Sequence, residues 1–255
     1  MTGDETAADE TADVVLVPEL YVGYPDVAFG GYVAGVLAER ADAAGVKTVR
    51  VDFRGPVPVG VPVRIAGTAD GGVELGDEGR PPLATAVLTE LDLAVPAAPG
   101  WAESVAAAES FRTAPPPGLV DCFGCGLDRT PDRGLRQHCT PVPGRSVVAC
   151  GWTPDPALAD PDGLFPPELV WGALDCPGNW AGLLLGTQRA GAMTASLTAT
   201  LLRPVAAAAP HISYAWVRSE SGRKHTLGMA LATADGELCA VGEALWLDPR
   251  QSPPA

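Results

Sequence analysis

A single carboxylate lies in the middle of a strongly apolar run, LVWGALDCPGNWAGLLL, at residues 169–185. That carboxylate is Asp175, and ionised side chains are rarely buried unless a partner compensates their charge. Burial disfavours the charged form of a carboxyl group and raises its pKa, which suits a general acid or base that works near neutral pH. We therefore predict that Asp175 is a catalytic residue.

An alternative interpretation of Asp175 comes from Pro177 and Gly178, which follow it closely. An aspartate shortly before proline and glycine is a common N-cap, so Asp175 could cap a helix formed by CPGNWAGLLLG. The same proline interrupts regular helical hydrogen bonding, and a backbone N–H freed there could polarise a carbonyl group. The catalytic role and the capping role are compatible.

Four further residues have both a binding interpretation and an ordinary one. Asn179 could donate a hydrogen bond to an acyl carbonyl or occupy a turn, and Trp180 could line a pocket or fill the core. Gly30 and Gly31 begin a predicted helix whose N-terminal N–H groups could bind a carbonyl or a phosphate. The alternative for the two glycines is close packing of that helix on a sheet.

Other catalytic or metal-binding patterns are weaker in this sequence. There is no Gly-x-Ser-x-Gly segment of the kind that carries the nucleophile of α/β-hydrolases. Cys122 and Cys125, with His138 and Cys139 downstream, could in principle bind zinc, but the adjacent ligands at 138 and 139 give poor tetrahedral geometry. A structural turn is the favoured interpretation of the cysteine pair. We expect neither a metal nor another cofactor.

Charge and composition narrow the class of partner. The chain has 255 residues, of which 47% are hydrophobic, so it can bury a substantial core. A formal net charge of -14 repels phosphate backbones and anionic lipid heads, so we expect neither a nucleic acid nor a membrane as partner. Without a basic leader or an apolar run of membrane-spanning length, the predicted location is the cytoplasm, where the six cysteines would be reduced.

The order of predicted elements occurs twice along the chain. In each half an extended segment precedes one long helix, and a run of antiparallel strands follows. In the first half these are residues 14–20, a helix over 29–45 with Gly45 as its C′ residue, and strands over 48–57, 61–67 and 83–93. In the second half they are residues 146–152, a helix entered at 166–168, and strands over 192–205, 211–220, 224–234 and 237–247.

The repeat divides the chain into five segments. A strand-helix-strands unit buries its helix against one face of its sheet, and two such units would join their sheets edge to edge. We predict a disordered acidic leader at residues 1–13, a first repeat at 14–94, a Pro/Ala-rich connector at 95–120 with a short helix at 101–111, a second repeat at 121–248 and a tail at 249–255.

Three segments of the repeat resemble the double hot-dog acyl-CoA thioesterases, the acyl-CoA thioesterase II family. FGGYVAGVLAERA is similar to the first central helix of that family, VRVDFRGPVPVGVPVRI to the strand pair after it, and LLRPV to the corresponding place in the second repeat. The resemblance extends over about residues 14–248, apart from the connector. It implies an α+β fold, the double hot-dog, with two antiparallel sheets each wrapped around a central helix. We also expect a homodimer or higher homo-oligomer.

A second resemblance is carried by CFGCGLDRTPDRGLR at residues 122–136. Its Cys-x-x-Cys-Gly followed by Gly-Leu is similar to the opening of small hot-dog thioesterases of the PaaI-like group. In this chain the segment would mark the entry to the second repeat.

The first resemblance implies a set of site residues. In that family an aspartate on the second central helix, a threonine and a glutamine hold the water that attacks the thioester. The first two positions match Asp175 and Thr194, whereas the glutamine position aligns with Gly242, where a glycine could enlarge the pocket. Glu243 would point to the opposite face of its strand. The predicted substrate-binding residues are Gly30, Gly31, Asn179, Trp180, Gly242, Arg203 and Arg223.

The two arginines of that set have an alternative interpretation. Guanidinium groups suit the phosphates of coenzyme A because their donors form a rigid fork. Arg203 and Arg223 lie with Arg218 and Lys224 around the turns of the second repeat. The same four residues could instead form the solvated face of a hairpin.

The predicted function is hydrolysis of an acyl-CoA, or a related acyl thioester, by water that Asp175 activates and Thr194 orients. The alternative is a non-hydrolytic acyl-thioester binding protein, or a hydratase- or dehydratase-like hot-dog enzyme that has lost the hydrolytic glutamine. The aspartate-histidine pair of hot-dog hydratases is not matched. Asp132 and His138 are one residue too far apart, and the Asn-Pro between such a pair is missing.

Overall fold

The computed structural model describes residues 13–42, 47–117 and 119–250. Almost all of the predicted leader, Gly45 and most of the predicted tail lie outside these residues. The described residues contain three α-helices, α1 (Gly30–Ala41), α2 (Trp101–Thr113) and α3 (Pro167–Leu185). Their strands are β1 (Asp13–Leu16), β2 (Val22–Tyr24), β3 (Val27–Ala28), β4 (Thr48–Phe53), β5 (Pro62–Gly67), β6 (Val73–Leu75), β7 (Ala84–Thr89), β8 (Thr140–Pro141), β9 (Val148–Trp152), β10 (Met193–Leu201), β11 (His211–Ser221), β12 (Lys224–Thr233) and β13 (Leu238–Leu247).

Eleven of these strands form one antiparallel sheet. Its order is β1-β5-β6-β7-β4-β10-β13-β12-β11-β9-β8, and β2 with β3 forms a separate hairpin. The two halves of the chain meet where β4 pairs antiparallel with β10, with Ser196 opposite Asp52. The two sheets expected from the sequence are therefore one continuous sheet. Pairing β4 with β10 satisfies backbone groups that two free sheet edges would leave unpaired.

The helices α1 and α3 pack against each other and against the sheet. Helix α1 contacts β4, β6 and β7 of the first half and also β10, whereas α3 contacts β8 to β13 of the second half. Both helices have apolar residues at helical spacing, and side chains such as Val33 and Leu37 in α1 and Leu174 in α3 are buried. Each half of the chain thus supplies one core helix, as the repeated pattern predicts.

Helix α3 is continuous from Pro167 to Leu185 and includes Pro177. Asp175 therefore lies in the helix interior, and its interpretation as an N-cap is wrong. Pro166 occupies the N-cap position, and Pro167 is the first residue of the helix. A proline in the first turn costs little because the N–H it lacks would have no partner within the helix. Pro177 removes a donor, so the group that loses its partner is the carbonyl of Ala173 and not an N–H.

Most predicted strands are present, with shorter bounds. The extended segment at 14–20 divides into β1 and a 3-10 turn at Glu19–Tyr21, and the β2-β3 hairpin after it is not predicted because its strands are too short to show a period. The short helix predicted in the connector is α2, which starts at Trp101 as expected and packs on β9. No helix in the described part of the chain has the length and apolarity to cross a membrane.

Glycines set the distance between α1 and α3. A Cβ added at Gly31 would lie 2.7 Å from the Cα of Gly172, and one added at Gly35 would lie 2.3 Å from the Cα of Glu168. Both contacts are with backbone atoms, which cannot rotate away, so a side chain at either position would push the helices apart. This close approach explains why α1 contains residues of low helix propensity.

Gly35→Ala is expected to destabilise the fold by about 2 kcal/mol or more, although alanine is the better helix former. Gly67→Ala is the matched control, because a Cβ added at Gly67 meets nothing within 4 Å. Urea unfolding followed by circular dichroism compares both variants with the wild type. A Gly35→Ala protein as stable as the wild type would contradict the backbone contact between α1 and α3.

Candidate active site

Asp175 is the carboxylate at which the two halves of the chain meet. Only 3% of its surface is exposed. One carboxylate oxygen accepts a hydrogen bond from the backbone N–H of Gly31 in α1 at 2.8 Å, and the other accepts one from the hydroxyl of Thr194 in β10 at 3.0 Å. The fold thus brings together three of the residues singled out in the sequence, and it holds Asp175 between a helix start and a strand.

Burial raises the pKa of Asp175 from 3.8 to about 6. The hydrogen bonds from Thr194 and Gly31 lower this pKa, and the nearby Cys122 raises it. Compensation of the charge is therefore partial, because two donors do not replace all the water lost on burial. The group is mostly ionised at neutral pH, yet it takes up a proton within about one pH unit of neutrality, as a general base requires.

A β-bulge directs Thr194 towards Asp175. Thr194 lies opposite Trp246 of β13, but the pairing then shifts by one residue, which leaves Ala195 without a partner. Side chains alternate along a regular strand, and Leu197 faces the core. In a regular strand Ala195, two residues before Leu197, would also face the core, and Thr194 would face the other side. The extra residue shifts the alternation by one, so the Thr194 hydroxyl faces α3 instead.

A cavity of about 330 Å³ opens beside Asp175 and Thr194. Its volume is at the lower end of the range for small-molecule sites, roughly 300–1,000 Å³. The wall is mostly apolar and comes from both halves of the chain, with contributions from Phe29, Val33, Val57, Trp180, Leu183 and Trp246. The cavity therefore presents one buried carboxylate and one hydroxyl to an otherwise apolar ligand.

Trp246 is a cavity residue that the sequence prediction omits. Its indole Nε1 is buried, lies near Gly178 of α3 and has no hydrogen-bond partner in the described part of the chain. The Nε1 of Trp180 is buried as well and lies near the Cys125 thiol. Because both nitrogen atoms are buried, the two rings contribute mainly apolar surface to the cavity wall. The alternation of AVGEALWL, which places residues 242, 244 and 246 on one face, is the sequence signal for Trp246.

Four of the predicted binding residues lie at this site. Gly30, Asn179 and Trp180 line the cavity. Gly31 allows the close helix contact, as its packing interpretation predicts, and its N–H is used by Asp175 and not by a ligand. The Oδ1 of Asn179 accepts a hydrogen bond from Nε2 of Gln188 at 2.6 Å, which orients the Asn179 side chain.

Gly242, in contrast, does not line the cavity. It lies opposite Ala199 on β10, and a Cβ added there would be 2.9 Å from the Thr198 carbonyl oxygen and 3.3 Å from Leu174. The position on β13 opposite Thr194 belongs to Trp246, so a glycine at 242 does not enlarge the pocket. The neighbouring Glu243 points to the other face of the strand, as the alternation predicts, and its carboxylate pairs there with the guanidinium of Arg218.

Arg203 and Arg223 also lie away from the cavity. Their guanidinium groups donate to the backbone carbonyls of Leu238 and Asp248, so their donors are already used to hold strand ends and turns. The arginine that does line the cavity is Arg54, which follows β4 and is exposed. Within the described residues its side chain makes no hydrogen bond or ion pair. The sequence signal was its place in FRGPV, the counterpart of LRPV in the second half.

Three cysteine side chains meet at the cavity wall. The Sγ atoms of Cys122 and Cys125 are 3.3 Å apart, and the Sγ of Cys122 is 3.6 Å from that of Cys176 in α3. Hydrogen bonds from Cys125 and Cys176 hold the pKa of Cys122 well below its usual range. The same contacts with Cys122 raise the pKa of the other two thiols.

The zinc ligand set considered from the sequence is not assembled, because His138 and Cys139 do not join Cys122 and Cys125. The Nδ1 of His138 accepts a hydrogen bond from Nε of Arg112 at 3.2 Å, and its ring stacks on a phenylalanine. Burial lowers the pKa of His138 to about 4, so the ring is neutral at physiological pH.

The architecture is shared with solved structures of other proteins. A tesB protein of Mycobacterium avium subsp. paratuberculosis has a TM-score of 0.59 at 15% identity, over 93% of this chain and 92% of that one. The acyl-CoA thioesterase II TesB2 of Mycobacterium marinum has a TM-score of 0.54 at 17% identity, over 88% and 90%. A protein with a hot-dog fold from Alicyclobacillus acidocaldarius has a TM-score of 0.61 at 15% identity, over 94% and 93%. The chain has the hot-dog fold.

These likenesses confirm the hot-dog fold implied by the sequence resemblance, but the two sheets implied with it form one continuous sheet. At these identities the likeness concerns the fold and not the activity. Neither a family model nor a curated protein sequence matches the chain. Helices α1 and α3 pack on the sheet, one from each half of the chain, and Asp175 lies on α3.

Asp175→Asn is expected to stabilise this hot-dog fold at neutral and alkaline pH. The pKa of Asp175 is higher in the folded chain than in the unfolded one, so wild-type stability falls as the pH rises from about 4 to about 6. Above that range the buried charge costs about 2–3 kcal/mol, which the neutral amide avoids while its oxygen still accepts from Gly31.

Urea unfolding at about pH 5 and about pH 8 measures this effect, and the advantage of the variant over the wild type should be larger at the higher pH. Asp92→Asn, at an exposed position, is the control and should show no advantage at either pH. An Asp175→Asn protein that is less stable than the wild type at about pH 8 would mean that the carboxylate is fully compensated.

Proposed function

We propose that this protein hydrolyses acyl thioesters, with acyl-CoA as the substrate class. The observation that carries the proposal is a buried carboxylate, Asp175, held by Thr194 and the start of α1 at the wall of an apolar cavity. An incompletely compensated charge lowers stability, which a purely structural core would avoid. The names of proteins with the same fold, among them an acyl-CoA thioesterase II, support the same reaction class.

In the proposed reaction a water molecule in the cavity donates hydrogen bonds to the Asp175 carboxylate and to the Thr194 hydroxyl oxygen, which themselves stay hydrogen-bonded to each other. The carboxylate takes a proton from the water as the water oxygen attacks the carbonyl carbon of the thioester. The tetrahedral intermediate carries its negative charge on the former carbonyl oxygen and collapses with cleavage of the C–S bond. The proton passes from Asp175 to the leaving thiolate, so a carboxylic acid and a thiol are released and the carboxylate is regenerated.

The start of α1 offers backbone donors to the negative oxygen of that intermediate. Gly30 lines the cavity in the first turn of α1, where backbone N–H groups have no partner within the helix. Fixed donors in a site that excludes water stabilise developing charge strongly. In the proposed reaction Asp175 and Thr194 hold the attacking water without a third residue at position 242.

The cavity and its surroundings suit an acyl group joined to a phosphate-bearing carrier. Apolar side chains such as Phe29, Val33 and Leu183 would contact the acyl chain, whose removal from water drives binding. The guanidinium of Arg54 is free to bind the phosphates of coenzyme A. Because screening limits the range of charge interactions to about 8 Å, this local cation outweighs the distant negative surface. We expect the enzyme to act in the cytoplasm as a homodimer or higher homo-oligomer.

Asp175→Asn should reduce thioester hydrolysis by about 100-fold or more, because an amide cannot take the proton from water. Thr194→Val should reduce kcat by about tenfold or more, whereas Thr194→Ser keeps the hydroxyl and should retain most activity. The measurement is release of free thiol from a panel of short, branched and aromatic acyl-CoAs. Asp92→Asn is the control and should match the wild type.

The same panel separates hydrolysis from the alternative functions. Acyl-CoA binding by the wild type without thiol release would contradict the proposal and favour a non-hydrolytic binding protein. Hydration of an unsaturated acyl-CoA without thiol release would favour a hydratase-like enzyme instead. Thiol release that is unchanged in Asp175→Asn would remove Asp175 from the mechanism.

Arg54→Ala should raise KM for acyl-CoA by about tenfold, since a lost charge-assisted contact is worth about 1.5 kcal/mol or more. The variant should leave KM unchanged for the same acyl group on a small thiol without phosphates. Arg203→Ala is the matched control, because that guanidinium binds a backbone carbonyl away from the cavity. Equal effects of Arg54→Ala on both substrates would show that Arg54 does not contact the coenzyme A phosphates.

A further inference from the structure

The three-cysteine cluster, which consists of Cys122, Cys125 and Cys176, is not used by the proposed hydrolysis. All three Sγ atoms lie within 4.8 Å of one another, and all three residues are buried and line the cavity. Two come from the CFGCG turn before β8, and the third comes from α3, at a separation of 54 positions from Cys122. The fold therefore brings two distant segments together at one point through their thiols.

The spacing of the sulfurs fits a tetrahedral metal ion. Zinc-thiolate bonds are about 2.3 Å long, so two thiolates of one tetrahedral site lie about 3.8 Å apart. The observed separations of 3.3 Å and 3.6 Å are close to that value. A disulfide would use two of the sulfurs and leave the third as an isolated buried thiol, whereas a metal ion uses all three.

The turn that carries Cys122 and Cys125 is shaped to present sulfur. The backbone N–H of Cys125 donates to the Sγ of Cys122 at 3.2 Å, and such donors stabilise a thiolate and orient it as a ligand. Gly124 lies between them, and a Cβ added there would be 2.3 Å from the Sγ of Cys176. Only a glycine at this place lets α3 bring its cysteine to the turn.

The cluster leaves one tetrahedral position free. Among the described residues no fourth histidine, cysteine or carboxylate atom lies close enough to join the three sulfurs. Because the three cysteines line the cavity, that fourth position faces the cavity. Three protein ligands with an open position are typical of metal sites that bind an exchangeable molecule, whereas structural zinc sites are closed by four.

We propose that Cys122, Cys125 and Cys176 bind one zinc ion, or a similar thiophilic divalent ion, whose fourth position is open to the cavity for a thiol sulfur or a water. Zinc has a strong affinity for thiolates and no redox chemistry of its own, so it suits a reduced compartment. The buried indole of Trp180, one helical turn after Cys176, places its N–H donor next to the Cys125 sulfur, where it would stabilise a thiolate ligand. This inference stands apart from the proposed hydrolysis, because it rests on the sulfur geometry alone.

The test uses the full-length protein, reduced and treated with a chelator, and then titrated with Co²⁺ without oxygen. We expect one Co²⁺ per chain, an intense near-ultraviolet band from thiolate-to-cobalt charge transfer, and displacement of Co²⁺ by Zn²⁺. Cys176→Ser and Cys125→Ser should each weaken Co²⁺ binding by about 100-fold and remove most of the band. Cys239→Ser is the control, because this buried cysteine lies outside the cluster, and it should behave as the wild type.

Several outcomes would overturn the proposal. One is a reduced wild-type protein that binds neither Co²⁺ nor Zn²⁺, and another is a Cys122–Cys125 disulfide found by peptide mapping of the freshly isolated protein. Coenzyme A added to the Co²⁺ protein should change its visible bands, and unchanged bands would remove the open position. If Cys176→Ser does not fold, Cys125→Ser decides the assignment, since its turn is separate from the helix core.

The proposed metal site and the proposed hydrolysis can be tested independently of each other. Asp175→Asn should bind Co²⁺ as the wild type does even if it hydrolyses nothing, because Asp175 is not a ligand of the ion. Metal binding by a wild type that releases no thiol from any acyl-CoA would support the site and contradict the proposed function. Thiol release by a protein that binds no metal would do the reverse.

Discussion

The structure depends on the contact between the start of α1 and the middle of α3. Gly31 and Gly172 let the two helix backbones approach so closely that the N–H of Gly31 reaches the Asp175 carboxylate. Without a donor, a carboxyl group at this depth would be protonated at neutral pH, and with several donors it would be too weak a base. The distance between two helices therefore sets the basicity of the candidate catalytic group, and the glycines set that distance.

The same contact explains why the site needs both halves of the chain. Asp175 and Thr194 come from the second half, whereas Gly31 and much of the cavity wall come from the first. Backbone hydrogen bonds between β4 and β10 fix β10, which carries Thr194, relative to the first half of the chain, which contains α1. A single half would have a buried acid with one donor missing and an open sheet edge beside it. The joining of the two halves thus supplies the carboxylate with its partner and pairs the inner sheet edges.

The helices and long strands can be predicted from the sequence, because apolar residues repeat along them at the spacing of a helix or a strand. Asp175 stands out because a lone charge in an apolar run has few explanations, whereas Thr194 emerges only through resemblance to a family. The rest depends on strand register, and one extra residue, Ala195, moves every later side chain to the other face. That bulge places Trp246, and not Leu247, opposite Thr194. The contact between Cys176 and the turn that carries Cys122 is likewise a tertiary contact, which the local sequence pattern does not predict.

One partly compensated charge at the wall of a mostly apolar cavity constrains the ligand. The charge of Asp175 is only partly offset by its two donors, and the rest of the cavity wall is mainly apolar. A buried polar group that lacks full hydrogen bonding costs free energy, and a molecule that donates a hydrogen bond to it recovers part of that cost on binding. A purely apolar ligand would offer no such donor, whereas a ligand with many polar groups would lose its hydration against apolar side chains. The cavity therefore favours a mainly apolar ligand with few polar groups, bound together with water next to the carboxylate.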